Sequence, residues 1–244
     1  MRASVGVSGP LVAALLALAA PGCGAGAPPP VEAAPAAPAD DGSKHRAAAP
    51  TVEGEIGGLD DTKVKRAFEH LSGQLTACFG KGAERIAYLA GDVRFVVRIA
   101  GDGSARWAYV KDSTLGDRDT EVCMLDVVKA ASWPRPLGGE GLAENGFSFD
   151  AGGDERPPVA WSPDQLGPAY KRAKGALGKC RKQAGTRSIK ATLYVDTDGK
   201  AKAVGVASAD EKGDAAAGCV IDVLKALKLP SPGSYASKVS VTIE

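Results

Sequence analysis

The residues of this sequence with the clearest chemical potential are five cysteines, Cys23, Cys78, Cys123, Cys180 and Cys219. Such thiols form disulfides, hold a metal, or stay free and buried. No Cys-x-x-Cys spacing occurs and no histidine lies close to a cysteine in the chain, so nothing points to zinc and no metal is expected. An oxidising compartment favours pairing, and an odd count leaves one cysteine that needs its own explanation. The equipment for catalysis is thin. His45 lies in a Pro/Ala-rich stretch, and His70 stands alone between Glu69 and Leu71 in a helical pattern. No Gly-x-Ser-x-Gly elbow, phosphate loop or His-Glu-x-x-His is present. Asp196-Thr197-Asp198-Gly199 has the look of a calcium loop, but Lys200 and Ala207 stand where that loop needs oxygen ligands. Neither catalysis nor a cofactor is expected.

The first residues read as an export signal, with Arg2 as the lone charge before the apolar run Leu11–Ala20. At about ten residues this run is half of the roughly 20 that a membrane-spanning helix needs. The following AAPGC, ending at Cys23, resembles a lipobox, with Ala20 where Leu is usual, an uncommon Pro21, and a fitting Gly22. Cleavage after Ala17-Leu18-Ala19 by an ordinary signal peptidase is the alternative. Lipid on Cys23 would account for the odd cysteine. Lysine and arginine number 30 against 29 acidic residues, so the basic excess expected of a nucleic-acid binder is missing. Residues 23–57 are mostly Ala, Pro, Gly and acids, without apolar periodicity, which predicts a disordered tether.

The remainder repeats. CMLDVVKAASWPRP (Cys123–Pro136) matches CVIDVLKALKLPSP (Cys219–Pro232) without a gap, and upstream Val93–Trp107 parallels Ile189–Ala203. Both upstream runs alternate around Asp-Gly, at Asp102-Gly103 and Asp198-Gly199, which predicts hairpins. Each copy opens with a helical pattern: Val64, Ala67, Phe68, Leu71, Leu75 and Cys78, then Leu166, Ala169, Tyr170, Ala173, Leu177 and Cys180. Ser162-Pro163-Asp164 reads as a helix start. The cysteine-led segments read as second helices stopped near Pro-x-Pro. Gly146–Asp150 and Lys238–Glu244 read as closing strands. The expected fold is α+β: two tandem α-β-β-α-β domains, residues 58–150 and 162–244, joined by a linker at 151–161. They follow a signal peptide (1–22) and a lipid anchor with its tether (23–57). Each domain is a three-stranded antiparallel sheet with both helices on one face and the other face open.

This arrangement resembles the TonB C-terminal domain, and more closely the AgmX/PglI C-terminal type of bacterial envelope proteins linked to gliding motility. The hallmark of that type is one cysteine at the end of the first helix and another early in the second, which Cys78 with Cys123 and Cys180 with Cys219 match. Ser113-Thr114-Leu115-Gly116-Asp117 also fits the run before the second helix, while Ser208–Asp214 in the second copy departs from it. The resemblance covers Leu59–Asp150 and Ser162–Glu244. It implies Cys78–Cys123 and Cys180–Cys219 disulfides, and the repeat selects the same pairing because both copies are then treated alike. It implies further a non-catalytic adaptor that binds envelope proteins of unspecified identity in a motility or transport complex. Such a lipoprotein faces the periplasm, and Gly24 after Cys23 leans towards the outer membrane. The competing readings are a receptor for a small or glycan ligand and a peptidoglycan-associated structural lipoprotein.

Three surface features are candidates for binding. The last strand should leave one side as an edge, with Ser240 and Thr242 outward, where TonB-like domains receive partner segments. From Lys171 to Lys190 the chain carries no acid; Lys171, Arg172, Lys174 and Arg181 are the candidate contacts for an anionic partner, or else a solvated helix face. Trp107 and Tyr109 share a side of the second strand, either under a helix or on the open face.

Overall fold

The computed structural model describes residues 57–244. The leader, Cys23, His45 and the stretch read as a tether up to residue 56 lie outside the described residues.

Helix α1 (Asp61–Arg85) begins where the Asp60 carboxylate accepts the Lys63 N–H at 3.1 Å, satisfying one of the unpaired donors of a first turn. The residues spaced by three and four turn one stripe inward: Phe68, Leu71, Leu75 and Cys78 are buried. Strands β1 (Gly91–Ile99) and β2 (Ala105–Ser113) form the expected hairpin, with Gly103 at φ 87° in its turn. Helix α2 (Arg118–Ala130) and strand β3 (Gly141–Phe149) follow, and the sheet order is β2-β1-β3, antiparallel throughout. Val93, Phe95, Val97 and Ile99 of β1 share one core with Phe68 and Leu75 of α1 and Met124 and Val128 of α2, so both helices cover the same face.

The same order recurs. A 3-10 turn (Pro163–Leu166) leads into α3 (Gly167–Ala184), then β5 (Ile189–Val195), β6 (Ala201–Ser208), a second 3-10 turn (Glu211–Ala216), α4 (Ala217–Lys225) and β7 (Ser237–Ile243). The repeat extends to single hydrogen bonds. Trp133 N–H donates to the Gly103 carbonyl at 2.8 Å, and Leu229 N–H to the Gly199 carbonyl at 2.9 Å. Each hairpin tip is thus held by the residue before the first proline of Pro-x-Pro. A Cβ on Gly199 would run into the Leu229 carbonyl.

Three expectations about elements need correcting. β3 starts at Gly141, not Gly146, and all nine residues pair with β1. The linker holds a strand, β4 (Val159–Ala160), which joins β7 in parallel and makes the second sheet four-stranded, in the order β4-β7-β5-β6. The second sheet's other face is also largely covered rather than open. Tyr194, Ala203 and Ala207, on the side away from α3 and α4, belong to the core of the first half. β2 runs against β6, and α2 packs on β6. The described residues all fall within one compact unit. No described helix is long and apolar enough to cross a membrane.

Candidate functional site

Cys78 is disulfide-bonded to Cys123, and Cys180 to Cys219, each pair with Cα atoms 5.7 Å apart. Each bond ties the two helices of one half. Closing loops of 45 and 39 residues is worth roughly 4 kcal/mol apiece in the chain-entropy view.

The edge of β7 lies where the sequence suggests, but part of it is taken. Val159 N–H donates to the Ala236 carbonyl and Trp161 N–H to the Lys238 carbonyl, both at 2.9 Å. Pro157 and Pro158 favour the extended backbone that brings β4 into line. The same bonds fix which groups face outward. Backbone direction alternates along a strand, so with Lys238 facing β4, Ser240 and Thr242 face the same free side. Beyond Lys238 that side has no strand partner among the described residues. Their side chains differ: Ser240 Oγ lies 2.8 Å from Thr192 Oγ1, whereas Thr242 is exposed.

A groove of about 240 Å³ runs beside this edge, lined by Tyr170, Lys174 and Leu177 of α3 and by Thr242, Ile243 and Glu244. Tyr170, Leu177 and Ile243 contribute apolar side chains to a lining that is otherwise polar, and the Lys174 ammonium lies 5.8 Å from the centre of the Tyr170 ring. Lys171 and Arg172 are exposed on α3. Arg181 is not a free cation: its guanidinium donates to the Thr186 carbonyl at 2.8 Å and pins the loop after α3. Lys190, from the same basic run, bonds Asp112 of the first half at 2.7 Å. The run therefore divides between structural contacts and an exposed patch on α3.

A second cleft, about 550 Å³, runs beside β1 and β3 of the first half and is lined by Asp92, Arg94, Asp112 and Glu144, with Lys190 reaching in from the second half. Its charges already answer one another: Arg94 bonds Glu144 at 3.0 Å, Lys111 bonds Glu144 at 2.6 Å, and Lys190 bonds Asp112. Hydrogen bonds from Lys111 and Arg94 keep the Glu144 carboxyl below its ordinary range. A charged ligand entering here would have to displace these pairs. Trp107 and Tyr109 lie on the sheet face away from the first half's helices. Tyr109 is buried there, with its hydroxyl 3.5 Å from the Ala209 carbonyl of the second half, and Trp107 is half-buried beside it, ring centres 5.8 Å apart. His70 is exposed on α1.

The junction between the halves holds groups that sequence reasoning missed. Glu121 has no exposed surface. Its carboxyl accepts from Ser113 Oγ at 2.6 Å and from the Val206 N–H of the second half at 2.8 Å. Burial, opposed by those two hydrogen bonds, pushes its pKa up to about 7. Arg118 bonds Asp214 across the junction at 2.5 Å. The Lys238 ammonium donates to the Ala90 carbonyl at 2.6 Å, and burial draws its pKa down to about 8.

Comparison with family models, curated proteins and solved structures found no match.

Proposed function

We propose that this chain is an exported, non-catalytic protein-binding module of the bacterial envelope, with two tandem domains of the TonB C-terminal and AgmX/PglI type. Lipid on Cys23 holds it to a membrane, the outer one, facing the periplasm. It receives an extended segment of an envelope protein as an added strand on β7. The observation that supports this most is that the edge already takes a strand. β4 occupies its first residues in the parallel sense, and the outward backbone of Ser240 and Thr242 continues the same row beside the groove against α3. Strand addition supplies affinity through main-chain bonds and selectivity through neighbouring side-chain pockets, here the groove that Tyr170, Lys174, Leu177 and Ile243 line. The exposed Lys171, Arg172 and Lys174 favour an acidic flank on the incoming segment. The paired charges of the second cleft speak against the small-ligand alternative.

Thr242→Pro tests this reading. It removes an outward N–H while the β5 side of the strand keeps its bonds, so the circular dichroism spectrum should stay as in the wild type. Capture of the proteins that crosslink to the native chain should fall at least tenfold. Unchanged capture by the folded variant rules out strand addition on β7. A Cys23→Ser variant should lose fatty-acid labelling and leave the membrane; wild-type chain that takes up no label refutes the anchor.

A further inference from the structure

β3 is a nine-residue edge strand of the first sheet. β1 pairs with its inner side along all nine residues, and no strand pairs with its outer side among the described residues. Gly57 N–H donates to the Glu140 carbonyl immediately before it. That bond sets the outward row: from Glu140, the backbones of Leu142, Glu144, Gly146 and Ser148 face away from β1. An edge of this length is a template for another strand unless charge, proline or a bulge defends it. Glu144 is the one charged residue in β3.

The sequence of β3, GLAENGFSF, is complementary to itself when reversed about Asn145. Gly141 then faces Phe149, Ala143 faces Phe147, Leu142 faces Ser148, and Glu144 faces Gly146. Every large side chain meets a small one, and Glu144 avoids its own copy. The hydrogen-bond phase also agrees, because 144 with 146 and 142 with 148 are pairs whose backbones all face outward. The charges match as well. Arg94 pairs in register with Gly146, and its guanidinium lies within 3.8 Å of where a Gly146 Cβ would stand. The glutamate set opposite Gly146 by a second copy would lie beside this guanidinium, which bonds Glu144 of its own chain at 3.0 Å, so that the two Arg94–Glu144 pairs would adjoin or exchange partners across the dyad. Leu142, 45% exposed, would be covered.

We infer that β3 is a self-association edge, on which a second copy of this chain adds its own β3, antiparallel and centred on Asn145, so that the two three-stranded sheets become one. This site is separate from β7, and it does not depend on the function proposed for that strand.

Asn145→Cys in the full chain, purified in a mild non-ionic detergent, reads the register directly. Residues facing each other at a non-hydrogen-bonded position have Cβ atoms roughly 5 Å apart, so mild oxidation should give a covalent dimer in high yield. In Ser148→Cys the two thiols would be about 20 Å apart along the strand direction and should stay unlinked. Sedimentation of the wild type should show the mass doubling with concentration. Gly146→Glu, which sets like charges opposite Glu144, should raise the dissociation constant about tenfold. A folded Asn145→Cys chain that stays monomeric overturns the inference, as does a wild type that sediments as a monomer throughout. Crosslinking of position 145 to a different protein, or of a Ser240→Cys control in its place, also refutes it.

Discussion

A carboxyl group wholly cut off from solvent sits at Glu121, with one oxygen held by its own half through Ser113 and the other by the Val206 N–H of the other half. Its pKa of about 7 stands above the ordinary value of 4.5, so folding favours the protonated form. The stability it contributes is fully present below pH 4.5 and is lost as pH rises through 7. The shift corresponds to about 3 kcal/mol. Lys238 does not interfere in that window: its pKa of about 8 keeps it charged there, and its own effect, a gain in stability, begins only as pH rises past 8. Urea titrations should therefore show the wild type weakening between pH 5 and 7.5, and Glu121→Gln holding nearly constant, since the amide can accept from Val206 and donate to Ser113. Equal pH dependence in both proteins would show that Glu121 is not the responsible group. Nothing in the sequence marks this residue. It reads as an ordinary acid in the first turn of α2, where negative charge is favourable, and its burial is created by residues some 85 positions away in the chain. The cysteines were legible because their chemistry depends on type and count; Glu121 was not, because its chemistry depends on what covers it.

Helices and hairpins were legible where the local pattern and the tertiary demand coincide. The stripe from Phe68 to Cys78 and the Asp-Gly turns are of this kind. The start of β3 is the opposite case: Gly141-Leu142-Ala143-Glu144 has no strand preference of its own, and pairing with β1 decides it. β4 is too short to show a period, and only the bonds to Ala236 and Lys238 make it a strand. The hairpin tips allow a test of how far an element depends on the contact that holds it. Gly199 has φ 77°, and its missing Cβ leaves room for the Leu229 carbonyl; Gly138 has φ 73° with open space around it. Alanine at Gly138 should cost about 1 kcal/mol from the left-handed backbone alone. Alanine at Gly199 carries that cost and a backbone collision, and should reach about 2–4 kcal/mol. Denaturant midpoints of the two variants measure the difference, and equal losses would mean that the Leu229 contact contributes nothing.

At the scale of the whole molecule, the disulfides do not join the halves, since each lies within one. What unites them is the face between β6 and the α2–β2 side, together with Lys190–Asp112, Arg118–Asp214 and the Tyr194 hydroxyl, which donates to the Ala90 carbonyl at 3.1 Å. That face is closed by a glycine. A Cβ on Gly205 would strike the Glu121 carboxylate and come within 2.8 Å of the Gly116 Cα, and neither neighbour is free to move: one is pinned by two hydrogen bonds and the other is backbone. The sequence pairs the halves only as a repeat, and a repeat is equally compatible with two separate bodies, so this junction could not be read from it. Buried contact of this kind makes two folded parts melt together, and the wild type should show one calorimetric transition with matching calorimetric and van't Hoff enthalpies. Gly205→Ala should open the junction without touching either disulfide or either helical core. Overpacking costs about 1–3 kcal/mol, and because the strain falls on the contact between the halves, the single transition should separate into two. A Gly205→Ala chain that still melts in one step at the wild-type temperature would show that the halves are not coupled through this face.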